Sequence, residues 1–144
     1  TCAACVDEDL AEMERLIGEI ARENRDPKGT KQADRAFHLA IATATRNSAI
    51  HDAIARLWEL RATSPEAALL HEKARTANIK PVVEEHTAIL DAIRSRDPEK
   101  ARAAMRSHLS HVIESLLFAT EEQQIAEIRR TAQARRKRYA SAAA

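Results

Sequence analysis

Apolar residues recur every three or four positions along most of this chain, and nowhere do they alternate with polar ones for long enough to make a strand. Leu10, Met13, Leu16, Ile17 and Ile20 form one stripe and predict a first helix over about 7–22, with Asp7 as its cap. Asp26-Pro27 and Gly29 then break the pattern. A second helix is predicted from about Thr30 to Arg46, with Asp34, Phe37, His38, Ile41 and Ala42 on its inward face. Ser48 is the expected cap of a third, over about 49–62, whose apolar face is Ile50, Ile54, Leu57 and Trp58. Ser64-Pro65 and Asp97-Pro98 each read as a cap followed by a proline in the first turn, and so open a fourth and a sixth helix. Between them, Pro81 opens a fifth, with Val82, His86, Ile89, Leu90 and Ile93 along one side. The sixth carries Ala101, Met105, His108, Val112 and Leu116, and beyond Phe118 the chain turns polar and then basic.

Short links between amphipathic helices make antiparallel neighbours. The fold class is therefore all-α, an antiparallel bundle of about six helices over 7–120, between a frayed N-terminus (1–6) and a polar, basic C-terminal tail (121–144). Composition agrees: in 144 residues there are 2 Gly and 4 Pro, and a chain this long can bury a core without disulfides.

Charge and composition narrow the function. The net charge is +1, and the aromatics are 2 Phe, 1 Trp and 1 Tyr, too few for a stacking platform on single-stranded nucleic acid. The basic run RRTAQARRKR (129–138) reads as a charged mobile tail, with phosphate contact as the other reading. Cys2 and Cys5 form a lone CxxC without further ligands at zinc spacing, read as two reduced thiols. No stretch reaches the roughly 20 apolar residues of a membrane span, and no signal peptide is visible; a cytoplasmic protein without membrane contact is expected.

The chemistry lies on the inward stripes. Asp34 and His38, four apart, share a helix face, and His86 and His108 sit among apolar residues of the fifth and sixth helices. Buried polar groups need partners. One carboxylate and three imidazoles suit a divalent transition metal: zinc, nickel, manganese or iron, with zinc or nickel favoured. Taken singly, each histidine reads as a satisfied core residue, so a metal-free core remains the alternative. His111, three residues after His108, is placed either behind the ligands or at the surface.

Three blocks of this sequence together resemble a known family. Asp34-Arg35-Ala36-Phe37-His38 with Ile41-Ala42 and Asn47, then Glu85-His86-Thr87-Ala88-Ile89 with Asp97-Pro98, then Met105-Arg106-Ser107-His108-Leu109 are similar to the FCD domain, the effector-binding domain of FadR-type regulators in the GntR family. The resemblance covers about residues 7–118. It implies a bundle of six or seven helices, a divalent metal on Asp34, His38, His86 and His108, and a small organic acid beside it. It also implies a homodimer, with DNA bound only through a winged helix-turn-helix domain that is not in this chain. The family's first effector-domain helix, which often supplies an arginine to the ligand, also has no counterpart here. Arg61 is the candidate for the effector carboxylate. The expected function is thus ligand sensing by a transcription regulator and not catalysis; a metal-dependent enzyme on small organic acids and a metal-free interaction domain are the alternatives. HExxH and di-iron ExxH motifs are absent from the sequence.

Overall fold

The structure, a computed structural model, describes residues 4–26 and 32–142. Among these there are six helices and no strand: α1 (Asp7–Arg25), α2 (Ala33–Thr43), α3 (Ser48–Thr63), α4 (Pro65–Thr76), α5 (Val83–Arg94) and α6 (Pro98–Ala142). The all-α bundle expected from the periodicity is the fold. α1 packs on α2 and α5, α5 lies against α6, and α4 also rests on α6.

The core forms where the stripes of α1, α2 and α5 meet. Leu10, Met13, Leu16, Ile17 and Ile20 of α1 are buried against Ala33 and Phe37 of α2 and Ile89, Leu90 and Ile93 of α5. Burial of this kind is the dominant favourable term in folding. Polar side chains close the helix ends. Asp9 Oδ2, rather than the expected Asp7, accepts from the Val6 N–H at 2.9 Å. Glu23 of α1 reaches across to accept from the N–H groups of Gln32 at 3.1 Å and Ala33 at 3.2 Å, and so caps α2 from outside it. Asn47, not Ser48, caps α3, accepting from the Ala49 N–H at 3.0 Å. Ser64 and Asp97 are placed as the sequence predicts: Asp97 Oδ1 accepts from Glu99 N–H at 3.0 Å and Lys100 N–H at 3.1 Å. α2, α4 and α5 each run out into a left-handed non-glycine residue, Arg46, Asn78 and Arg96; the first and last of these guanidinium groups then hold the N-terminal end, on Asp9 at 2.8 Å and on the Cys5 carbonyl.

Four expectations need correcting. The expected face of α3 is only partly covered: Ile50 and Leu57 are exposed while Ile54 and Trp58 are half-buried, because among the described residues α3 touches only its sequence neighbours α2 and α4. The sixth helix does not end near Phe118 but runs for 45 residues to Ala142, about 67 Å at 1.5 Å per residue. The segment expected as a tail is helical through 142, since Ala, Glu, Gln and Arg favour helix even where nothing is buried. Cys5 is part of the core rather than of a frayed end. Cys2, like the expected helix start at Thr30, lies outside the described residues.

Ile89 is 1% exposed and Leu57 is 61% exposed. Ile89→Ala is expected to destabilise the protein by about 2–5 kcal/mol, and Leu57→Ala by about 0.5 kcal/mol or less. Urea denaturation of the two variants checks this; equal losses would contradict the assigned core.

Candidate metal centre

α2, α5 and α6 each deliver a histidine to one point. His38 follows Phe37, whose buried ring fixes that turn of α2, and Asp34 lies one turn earlier on the same face. His86 shares its stripe with Ile89 and Leu90, so the packing of α5 on α1 carries it inward. His108 enters from α6 and is likewise buried. The three side chains offer ring nitrogens within 4.8 Å of one another. Ring centroids are 4.7 Å apart for His86–His108, 5.2 Å for His38–His108 and 5.6 Å for His38–His86. Phe37 packs edge-on against His86 at 5.0 Å and walls one side.

Asp34 joins them. Its Oδ1 lies 3.1 Å from His86 Nε2 and 3.5 Å from His38 Nε2. On the other side of the His86 ring, Nδ1 is 2.7 Å from the Val82 carbonyl oxygen. A carbonyl oxygen can only accept, so Nδ1 carries a hydrogen. An ionised carboxylate can also only accept, so Nε2 and Asp34 Oδ1 cannot face each other without something positive between them. That species is either a second proton on the ring or a metal ion.

The electrostatics follow the same lines. Burial pushes the Asp34 carboxyl up, but its bonds to His38 and His86 outweigh that and hold it well below the usual carboxylate range. Burial pushes His86 down, while Asp34 and the Val82 carbonyl raise it to a net increase. For His108, burial together with the neighbouring His86 and His38 lowers its value despite Glu85.

The fit to a metal can be judged from the donors themselves. Ligand atoms about 2.0–2.1 Å from one ion stand roughly 2.9–3.4 Å apart. The contacts to Asp34 Oδ1, 3.1 Å and 3.5 Å, lie within and just beyond this range, and the histidine nitrogens, within 4.8 Å of one another, would have to draw closer together around an ion. Among the described residues no buried polar side-chain atom lacks a partner, so unmet burial does not by itself require an ion. Three imidazoles with nitrogens within 4.8 Å of one another, two of which also lie on one carboxylate oxygen, are the feature that suits one.

Of the four residues expected to ligate, the three histidines are brought together and Asp34 lies against two of them, His38 and His86. Arg61 also reaches the site: its Nη1 is 3.7 Å from Asp34 Oδ2, and its guanidinium lies 4.4 Å above the Trp58 ring. His71 is close enough for Arg61 to lower, and Asp34 to raise, its pKa, although burial is the main cause of its net decrease. Sequence reasoning missed Glu85. It accepts from His108 Nδ1 at 2.8 Å and from His111 Nδ1 at 2.6 Å. The signal was its place beside His86 at the start of α5, which sends the two side chains to different neighbours.

A family model described as the FCD domain matches residues 1–111, more than three quarters of the chain. The chain belongs to the FCD domain family. This FCD domain is similar to the Exu regulon transcriptional regulator of Escherichia coli (strain K12), 33% identical over 78 residues, which are 54% of this chain and 30% of that protein. It is similar also to that organism's Uxu operon transcriptional regulator, 32% identical over 113 residues, 76% of this chain and 44% of the relative. To the galactonate operon transcriptional repressor of the same organism it is 27% identical over 96 residues, 67% and 41% of the two chains. The FCD domain thus spans less than half the length of the curated relatives it matches. No solved structure gives a significant match. No helix among the described residues is long and apolar enough to cross a membrane.

Proposed function

We propose that this FCD domain is the effector-sensing part of a transcription regulator, holding one divalent metal ion on Asp34, His38, His86 and His108 and a small organic acid beside it. The observation that carries this reading is Asp34 Oδ1 standing 3.1 Å and 3.5 Å from two histidine nitrogens, with a third histidine alongside. Oxygen and imidazole donors suit zinc, nickel, manganese or iron, and a set rich in imidazole favours zinc or nickel. Family membership and relatives named as regulators support a sensor over an enzyme.

When bound, a divalent ion supplies a Lewis-acidic centre with positions left for an anion. With one carboxylate and three neutral imidazoles around it, the inner ring keeps a net charge of +1. Arg61 adds positive charge on one side, and the face of Trp58 holds its guanidinium in place. A guanidinium pairs with a carboxylate through two parallel hydrogen bonds. The name of one relative, for a galactonate operon, supports a small carboxylate as the ligand.

An effector changes a protein only by binding one arrangement better than another. Arg61 and Trp58 lie on α3, while the ligating residues lie on α2, α5 and α6. A carboxylate that joined Arg61 to the metal would therefore fix α3 relative to the core. In the full regulator that shift would reach operator DNA through a winged helix-turn-helix domain outside these residues. Exposed Leu109, Ile113, Leu117 and Phe118 along α6 support a homodimer.

Untagged protein is expected to keep about one zinc or nickel ion per chain after dialysis, and His86→Ala to lose it, by elemental analysis. Nickel should also quench the single tryptophan, Trp58, whose ring lies 6.0 Å from that of His38. Retention of metal by His86→Ala would overturn the site. Arg61→Ala is expected to weaken binding of galactonate to metal-loaded protein by roughly tenfold or more, the loss of a charge-assisted hydrogen bond, with metal content unchanged; calorimetric titration checks this, and equal affinity would remove Arg61 from the pocket. Light scattering should give the mass of two chains, and a monomer at micromolar concentration would contradict the dimer.

A further inference from the structure

His86 and His108 face the cluster with the same problem. An imidazole can donate a lone pair to a metal or a neighbour from one nitrogen only if the hydrogen is held on the other. For His86 that hydrogen is held by the backbone, through the Val82 carbonyl at 2.7 Å. For His108 no backbone group among the described residues plays that part. Its Nδ1 is instead 2.8 Å from Glu85 Oε2.

Glu85 is placed for this task by its own surroundings. It sits beside His86 in the first turn of α5, so while His86 points into the core, Glu85 points across to α6. Its second oxygen, Oε1, accepts from His111 Nδ1 at 2.6 Å. His108 and His111 are one turn apart on α6, and the carboxylate spans both. The Glu85 side chain is 19% exposed and that of His111 is 55% exposed. The order from the centre outward is therefore His108, Glu85, His111, then water. Such outer carboxylates fix ring orientation and raise the basicity of a ligating histidine.

We infer that Glu85 is a positioning residue: it keeps the hydrogen of His108 on Nδ1, so that Nε2 is the donor left for the cluster, and His111 holds Glu85 in that rotamer. The role in metal binding rests on the proposed function; the choice of tautomer does not. His111, which no ligand set needs, thereby gains a purpose. Glu85 acts on the metal only through His108, and His111 acts only through Glu85, so their removal should be felt in that order.

The test compares wild type with Glu85→Ala, Glu85→Gln and His111→Ala in two measurements on the whole chain. Zinc affinity is measured by competition with a chromophoric chelator, and ring-nitrogen NMR of the metal-free protein reports which nitrogen of His108 carries the hydrogen. Glu85→Ala is expected to lower zinc affinity by roughly 10- to 100-fold and to move His108 away from the Nδ1–H form. Glu85→Gln, which still offers one acceptor, should fall between it and wild type, with a native helical spectrum. His111→Ala should lose less than Glu85→Ala. Wild-type affinity together with an unchanged His108 spectrum in Glu85→Ala would overturn the inference. If wild type takes up no zinc, the proposed function falls, and the His108 spectrum alone then decides the role of Glu85: a shift in Glu85→Ala upholds it and no shift overturns it.

Discussion

Asp34 Oδ1 is an acceptor faced by nitrogens from two helices. Because the Val82 carbonyl already claims the hydrogen on His86 Nδ1, the gap between His86 and Asp34 requires a positive species. This constraint ties α2 to α5 at the centre of the bundle. In a low-dielectric interior the attraction is strong, and so is the penalty for leaving either partner alone. A proton can fill the gap, but a divalent ion can also gather His38 and His108, which one proton cannot. On the proposed function, the same side chains would thus serve as a polar network without metal and as a ligand set with it.

The packing around this point explains why the network can be held. Met13, Phe37, Ile89 and Leu90 belong to the buried apolar core, and Phe37 lies directly against two of the imidazoles. The backbone near each ligand is regular helix, so positions are set by helical register rather than by loops. By contrast, α3 buries no residue fully, and Arg61 reaches inward from it to Asp34. On the proposed function, the histidines on α2, α5 and α6 would bind and the more exposed α3 would respond.

The fold class was legible because α1, α2, α5 and the first part of α6 bury single stripes at helical spacing. The clustered polar side chains were legible for the same reason: Asp34 and His38 lie four apart, and His86 and His108 replace apolar residues on otherwise apolar faces. What escaped was whatever depends on who the neighbours are. Leu57 looks like core on a helical wheel, yet no element covers it. Asn47 and Ser48 are both good caps, and only the backbone decides between them. The helix beyond Phe118 has no apolar face to announce it. Glu85 looks like an exposed first-turn acid, because the 23-residue separation from His108 carries no periodic signal. The three blocks that resemble the FCD domain agree with the family match, and spacing alone would have left a metal-free core equally open.

X-ray absorption at the zinc edge of zinc-loaded protein tests the central claim most directly, since it counts and types the atoms around the ion. The account predicts three imidazole nitrogens and at least one carboxylate oxygen at about 2.0–2.1 Å. A first shell made of sulfur, or of water with a single histidine, would contradict it.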